Sequence, residues 1–194
     1  MKKKYREMKE ISHKYYMGYI KEKTTVIIED VEIKLQKNQN IKSYSPSQDY
    51  TPKRTTVWNF PDHGNRSTHK GNYRENWSPY MPRNLILKYT EKGDRTLDQM
   101  MDSGTTLVEA KLLESNAIRV DINLDAVMVA RDPLNFSYNP LFPEYKEPII
   151  KTCWDDAINI DKIDDESIEI IAPHPPYASI ISYTKKQKWS EKYG

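Results

Sequence analysis

The sequence contains a single cysteine, Cys153, among its 194 residues. One cysteine can form neither an internal disulfide nor a cysteine-based metal site, so we expect a reducing, cytoplasmic setting and no metal. Long apolar runs are also missing, and no stretch approaches the roughly 20 residues needed to span a bilayer. The lysine-rich start is followed by alternating charges and tyrosines rather than an apolar segment, which argues against a signal peptide. We therefore expect a protein with no membrane partner that is not exported.

The chain also has little excess charge, because 30 basic and 28 acidic residues leave a formal net charge of +2. Such a balance gives no sign of a surface that binds polyanions as a whole, so any nucleic-acid interface must be local. Basic residues do outnumber acidic ones over residues 1–23. That segment either contacts phosphate or forms a solvated charged helix, and the sequence leaves both open.

The pattern of apolar residues divides the chain at residue 56. Tyrosine and isoleucine recur near helical spacing over residues 5–22, which predicts a helix. The β-branched residues over 24–35 predict a strand or short hairpin, with a helix as the alternative. Residues 36–56 are polar and contain prolines, which predicts a linker. We therefore predict an N-terminal unit over 1–56, with a basic helix, a β segment and a linker, and a second domain over 57–194.

The second domain opens with a proline-rich ordered loop over residues 57–83. Beyond that loop the patterns predict helices over 84–89, 105–114 and 125–131 and strands over 95–98, 117–121, 148–152 and 167–172. Strands that alternate with helices predict an α/β fold with a parallel, doubly wound sheet. In open sheets of this kind, ligands bind beyond the carboxyl ends of the strands.

One strand–turn–helix–strand segment has the features of a nucleotide-cofactor site. A strand ending at Asp98 leads into a turn with Ser103 and Gly104, and the next strand ends at Asp121. Small residues let the backbone approach a cofactor, and an acidic residue about 20 positions further on can bind ribose hydroxyls. Asp121 follows Asp98 at about that spacing, which indicates a cofactor pocket.

A second motif follows the last predicted strand and consists of His174, Pro175, Pro176 and Tyr177. Two consecutive prolines fix the backbone and leave carbonyl groups free. A carbonyl and the preceding side chain can therefore accept hydrogen bonds from an amino group, while Tyr177 stacks on a ring. The alternative is a Pro-Pro turn whose aromatic side chain covers the end of the sheet. The position of the motif, in one sheet with a cofactor-like first strand, favours a base-holding role.

From about Val57 to Tyr183 the sequence resembles the amino-methyltransferases that modify the exocyclic nitrogen of adenine or cytosine in DNA. LDQMMDSGTTLVEA is similar to the S-adenosylmethionine (SAM) motif of that family, VDIN to its acidic ribose-binding motif, and HPPY to its catalytic Asp/Asn/Ser-Pro-Pro-Tyr motif. The run Asp155-Asp156-Ala157 resembles the Gly-Asp-Ala that contacts the adenine of SAM. The resemblance implies a Rossmann-like SAM-dependent methyltransferase fold.

The same resemblance assigns roles to individual residues. The residues expected to line SAM are Asp98, Ser103, Gly104 and Thr105, with Asp121 on the ribose and Asp156 on the adenine amino group. The residues expected to hold the target base are His174, Pro175, Pro176 and Tyr177. His174 and the Pro175 carbonyl would accept hydrogen bonds from the target amine, and Tyr177 would stack on an adenine or cytosine flipped out of the DNA. Such bonds orient the nitrogen lone pair at the methyl group, and no metal is required.

Several positions depart from the family pattern. Asp102 and Asp155 stand where the family has glycines, and Gln99-Met100 replaces Pro-Phe. About four of the seven strands that the resemblance implies precede Gly194. We therefore expect an incomplete fold, in a truncated or split enzyme whose missing strands and target recognition come from a second chain.

Three functions stay open at this point. The first is SAM-dependent methylation of adenine N6 or cytosine N4 in DNA, in a restriction–modification or orphan-modification setting. The second is an RNA amino-methyltransferase, because Pro-Pro-Tyr chemistry also serves amino groups in RNA. The third is an inactive fragment that acts as a nucleic-acid or protein binding module, which Asp102 and the early end of the chain favour.

Overall fold

The described part of the chain is a mixed α/β structure. The computed structural model describes residues 7–28, 30–39, 50–61, 67–69, 76–100, 103–137 and 145–175. Its strands are β1 (Lys9–Glu10), β2 (Thr25–Ile28), β3 (Val31–Lys34), β4 (Arg95–Asp98), β5 (Asn116–Asp121), β6 (Ile150–Trp154) and β7 (Ile170–Ile171). Its helices are α1 (His13–Glu22), α2 (Tyr80–Tyr89), α3 (Thr105–Leu112) and α4 (Leu124–Arg131), and a 3-10 turn, Asp132–Leu134, follows α4. Strands and helices alternate from β4 to β6, as the sequence predicts.

Five strands form one sheet in the order β1-β6-β5-β4-β7. β6, β5, β4 and β7 run parallel, and β1 pairs antiparallel with β6. The parallel sheet of the predicted α/β fold is therefore confirmed. The strand order reverses at β4, because β5 and β6 lie on one side of it and β7 lies on the other. Open α/β sheets bind ligands beyond the carboxyl ends of their strands at such a reversal.

Apolar clusters cover both faces of the sheet. On one face, α1, the β2–β3 hairpin and α4 share a cluster, and α2 and α3 share another that includes Ala117 of β5. On the opposite face, side chains of β4, β5 and β6 pack with Met8, Ile163 and Ile168; these strand residues are Leu97, Ile118, Val120 and Cys153. Burial on both faces explains why these parallel strands are rich in apolar residues.

The N-terminal residues join this sheet and its core. The Ser12 side chain caps α1 by accepting a hydrogen bond from the Tyr15 amide, so the helix begins at His13. The helix predicted from residue 5 was therefore wrong for Lys9–Glu10, which form a strand because they pair with β6. The predicted hairpin is confirmed as β2 and β3. The domain boundary at residue 56 stays a prediction.

The loop predicted over residues 57–83 ends earlier than expected, because α2 begins at Tyr80. Pro82 lies in the first turn of α2, where a missing amide hydrogen breaks no helical hydrogen bond. The predicted fourth strand, 167–172, is reduced to Ile170–Ile171, and the predicted third strand is shifted by two residues to Ile150–Trp154. From α2 onward the helices and strands follow the predicted order, and only their first and last residues differ from the prediction.

Gly104 allows the start of α3 to approach the end of α4. Its φ angle is +86°, and a Cβ atom there would overlap the Ala130 carbonyl oxygen and lie 2.9 Å from the Ala130 Cα. Gly93 has a similar φ angle of +90°, but open space surrounds the position of its absent Cβ. Alanine substitutions at these two glycines can therefore distinguish the free-energy cost of backbone strain from that of a steric clash.

We expect Gly93→Ala to lower the free energy of unfolding by about 1 kcal/mol, the cost of a left-handed backbone with a side chain. Gly104→Ala should cost about 1–3 kcal/mol more, because the helices must separate to admit the methyl group. Urea unfolding followed by tryptophan fluorescence measures both. Equal losses in the two variants would show that α3 and α4 do not approach as closely as described.

Candidate cofactor and base site

Four segments singled out by the sequence lie at the carboxyl edge of the sheet. Asp98 ends β4, Asp121 ends β5, Asp155 and Asp156 follow β6, and His174 follows β7. Neighbouring segments are joined there, since the Asp155 amide donates to the Asp121 carbonyl at 3.0 Å and the Ala172 amide donates to the Leu97 carbonyl at 2.9 Å. The fold therefore brings the described residues of the two motifs to one edge of the sheet. Their roles as ligand contacts stay predictions.

Asp98 is fully buried and forms an ion pair inside the protein. Its Oδ2 lies 2.5 Å from Nη2 of Arg119, which is equally buried, and it also accepts a hydrogen bond from the Thr106 hydroxyl at 3.1 Å. Its Oδ1 accepts from the Met100 amide at 3.1 Å. Arg119 Nη2 also donates to the Met100 carbonyl, whereas its Nε and Nη1 have no hydrogen-bond partner among the described residues. Asp98 therefore holds the turn after β4 in place.

Ser103 and Thr105 are buried at the start of α3 and are linked to each other and to the lead-in segment, residues 57–79, which precede α2 in the chain. The Thr105 hydroxyl donates to Asn76 Oδ1 at 2.6 Å, and the Ser103 hydroxyl lies 3.2 Å from Thr105 Oγ1. Since Thr105 uses its hydrogen on Asn76, Ser103 is the donor in the second bond. Asp102, which replaces a family glycine, lies outside the described residues.

Asp121 and Asp156 are half-buried, in contrast to Asp98. Asp121 Oδ1 accepts from the Asn123 amide at 2.6 Å, and Asp156 Oδ1 accepts from the Ile158 amide at 3.1 Å. Asp155 is buried, and its carboxylate accepts bonds from the Asp156 amide and the Asn159 side chain. Asp155 therefore closes its own turn, while Asp121 and Asp156 are partly exposed.

His174 is stacked on Trp77, a residue of the lead-in segment. The ring centroids are 5.1 Å apart and the ring planes are inclined by 10°. Trp77 thus packs against the first residue of the predicted catalytic motif. Pro175 is exposed after His174, whereas Pro176 and Tyr177 lie outside the described residues.

A buried polar network beneath α3 was not predicted from the sequence. Glu109 of α3 accepts a bond from Arg83 Nη1 at 3.1 Å, and its other oxygen lies 2.8 Å from His69 Nε2. His69 lies in the loop before α2 and is buried there, since only 5% of its surface is exposed. A glutamate within the apolar segment LVEAKL was the available signal, because a buried carboxylate needs partners. The network attaches the lead-in segment and α2 to α3.

The described residues offer no candidate for a metal site, a reactive thiol or a membrane-spanning helix. No group of three or more His, Cys, Asp or Glu side chains is placed to hold a metal ion in those ranges. Burial raises the pKa of the Cys153 thiol to about 11, so the thiol stays protonated at neutral pH. None of the described helices is long and apolar enough to cross a membrane.

We expect Asp98→Asn to destabilise the protein by about 3–5 kcal/mol, because it leaves the Arg119 guanidinium buried without its counter-charge. Asp98→Asn combined with Arg119→Met should be more stable than Asp98→Asn alone, since the unpaired charge is then removed. Chemical denaturation of the wild type, the single variants and the double variant measures the coupling. Additive losses would contradict a direct ion pair.

Comparison with known proteins identifies the group to which the chain is related. Residues 1–132 match the DNA methylase family of N6 and N4 methyltransferases. The chain is also 38% identical over 76 residues to the type II methyltransferase M.BsoBI of Geobacillus stearothermophilus, a match that covers 38% of this chain. That match spans 15% of the length of M.BsoBI. Because the family match extends over more than half of its residues, the chain belongs to the DNA methylase family.

Proposed function

We propose that the chain carries the SAM pocket and the base pocket of a DNA amino-methyltransferase, on a Rossmann-like fold. The reaction would transfer a methyl group to the exocyclic nitrogen of adenine (N6) or cytosine (N4). The observation that carries the proposal is the reversal of strand order at β4, which places Asp98, Asp121 and His174 at one edge. Membership of the DNA methylase family supports the same reaction.

The residues at this edge fit the donor groups of SAM. Asp121 and Asp156 are half-buried carboxylates, which suit the ribose hydroxyls and the adenine amino group. Ser103, Gly104 and Thr105 would form the turn beside the cofactor, and Asp98 would line it from below while fixing that turn through the Met100 amide. SAM supplies an electrophilic methyl group on a sulfonium centre.

His174 and Pro175 would bind the target amine. A neutral imidazole accepts a hydrogen bond at one nitrogen, and the Pro175 carbonyl offers a second acceptor. Two such bonds raise the electron density on the nitrogen and direct its lone pair toward the methyl group. SAM would supply the methyl carbon for the new nitrogen–carbon bond, its sulfur would leave as a neutral thioether, and the methylated amine held by His174 and Pro175 would release its proton to solvent. Tyr177 would stack on the flipped base.

Asn76 and Trp77 would couple the two halves of the site. These adjacent residues contact Thr105 of the cofactor motif and His174 of the base motif. The stack fixes the plane of the imidazole. Glu109 anchors the preceding residues through His69 and the following helix through Arg83. We therefore assign Asn76 and Trp77 positioning roles.

A second candidate function is a binding module without catalysis. It is favoured by the ion pair between Asp98 and Arg119, which occupies a cofactor-motif carboxylate within the protein. The proposal of an enzyme completed by a second chain rests instead on β7, the outer strand of the described sheet. Ile171 of that strand is 56% exposed, so further strands could pair and pack there.

Isothermal titration of the chain with SAM, alone and mixed with candidate partner chains, tests the proposal. We expect binding in at least one arrangement and a roughly 10-fold or greater loss in Asp121→Asn, because charged hydrogen bonds to the ribose are removed. Asp161→Asn, an exposed carboxylate after β6, is the matched control and should bind as the wild type does. Absence of binding in every arrangement favours the binding module.

Mass spectrometry of nucleosides from treated DNA and RNA then identifies the product. We expect N6-methyladenine or N4-methylcytosine in DNA, depending on the target. Methylated bases that appear in RNA and not in DNA would contradict the proposed substrate. A methylation assay with labelled SAM measures the rate of methyl transfer.

Trp77→Ala should lower the methylation rate roughly 3- to 10-fold, because the stack that orients His174 is lost. Trp77→Phe keeps an aromatic face and should recover most of the rate. SAM affinity should stay nearly constant in both variants. Trp58→Ala, in the same lead-in region, is the control. A loss in Trp77→Ala that Trp77→Phe fails to recover would exclude a stacking role.

A further inference from the structure

A polar cavity of about 620 Å³ lies at the opposite edge of the sheet. Its walls come from the start of β6, the ends of α3 and α4, the first residue of α1 and the segment after β3. In a parallel sheet with crossover helices, strand starts and helix ends lie at the amino edge. None of the described residues assigned above to SAM or to the base lines this cavity.

Positive charge predominates in the described lining of the cavity. Three permanent cations, Lys37, Lys111 and Arg131, face it together with His13, against the single carboxylate of Glu147. That carboxylate lies 3.2 Å from the Lys111 ammonium, so it neutralises one cation only. Uncharged hydrogen-bonding side chains complete the polar lining, namely Asn38, Gln39, Asn135 and Ser137. The cavity is therefore suited to a negatively charged ligand.

Arg131 lines the cavity and is incompletely hydrogen-bonded within the described residues. Its Nη1 donates to the Thr152 hydroxyl at 3.1 Å, but its Nε is buried with no hydrogen-bond partner. Burial lowers the pKa of the guanidinium and the charge of Glu10 opposes that shift, but Glu10 makes its ion pair with Lys151, at 3.6 Å. The neighbouring Asp132 already accepts bonds from the Tyr16 hydroxyl and the Gln39 side chain. Arg131 is thus a half-buried cation whose Nε has no partner among the described residues, and an anion in the cavity would supply a direct counter-charge.

We infer that this cavity binds a phosphate-bearing ligand of nucleotide size, with Arg131 and Lys37 holding the phosphate. Guanidinium groups bind phosphate through paired, charge-assisted hydrogen bonds. The cavity volume falls in the range of small-molecule sites, roughly 300–1,000 Å³, and exceeds what an inorganic phosphate fills. The amide side chains of Asn38 and Asn135 can bind the remaining polar groups of the ligand. The same chemistry is offered by a free nucleotide and by a nucleotide within a nucleic-acid strand.

Isothermal titration with thymidine 5′-monophosphate tests this inference, because thymidine shares neither the adenine of SAM nor an exocyclic amine. We expect the monophosphate to bind, thymidine to bind at least roughly 10-fold more weakly, and the affinity to fall with added salt. A single-stranded hexathymidylate without terminal phosphates distinguishes the sources. Tighter binding of the hexamer identifies a nucleic-acid strand, and tighter binding of the monophosphate identifies a free nucleotide.

Arg131→Gln should weaken binding of the monophosphate at least roughly 10-fold, through loss of a charged hydrogen-bonding group. Lys37→Gln, at an exposed residue that cannot disturb the core, should weaken it by a smaller factor. Arg54→Gln, at an exposed arginine outside the cavity, should leave it unchanged. The ligand should raise the unfolding midpoint of the wild type and not that of Arg131→Gln.

The inference is overturned if the wild type binds neither the monophosphate nor inorganic phosphate. It is equally overturned if both cavity variants bind the monophosphate as tightly as the wild type. Because Asp121 lies at the other edge of the sheet, Asp121→Asn should leave binding of the monophosphate intact. Failure of this inference and failure of SAM binding are thus separate outcomes.

Discussion

The parallel pairing of β4 with β5 on one side and β7 on the other is the constraint on which the rest of the structure depends. It fixes which chain segments share an edge, so residues far apart in sequence become neighbours without any contact between their side chains. Asp98 and the segment before His174 are adjacent for this reason alone. The geometry of the proposed methyl-transfer site is thus set first by backbone hydrogen bonds and only then by the side chains that fill the edge.

α3 shows what this arrangement demands of a helix. Residues Thr105–Lys111 are all buried, so every polar group of the helix must find a partner inside the protein. Glu109 meets that requirement with Arg83 and His69, and Thr106 meets it with Asp98. Most side chains that approach the cofactor turn are therefore also structural. A loss of activity after substitution in this region has to be compared with a measured loss of stability.

Elements with local signals could be predicted from the sequence, whereas contacts between distant segments could not. β4, α3, β5 and α4 carry their own apolar patterns, turns and caps, so their order and the parallel sheet followed directly. β1 has two residues and exists only because β6, more than a hundred positions away, pairs with it. The contacts of Asn76, Trp77 and Glu109 likewise join distant segments and leave almost no trace in a local pattern. The described residues of the two motifs lie at one edge of the sheet, their roles stay predictions, and their partners required coordinates.

The short strand β1 has a consequence for how the sheet can grow. It lies antiparallel along β6 and occupies that edge, and two residues offer little backbone to an incoming strand. Within the described sheet, strand addition is thereby directed to the β7 side. An added strand would lie beside β7, next to the segment that leads to His174. Whichever segment pairs with β7 would therefore also become a neighbour of the proposed base motif, so that growth of the sheet and access to that motif would be linked.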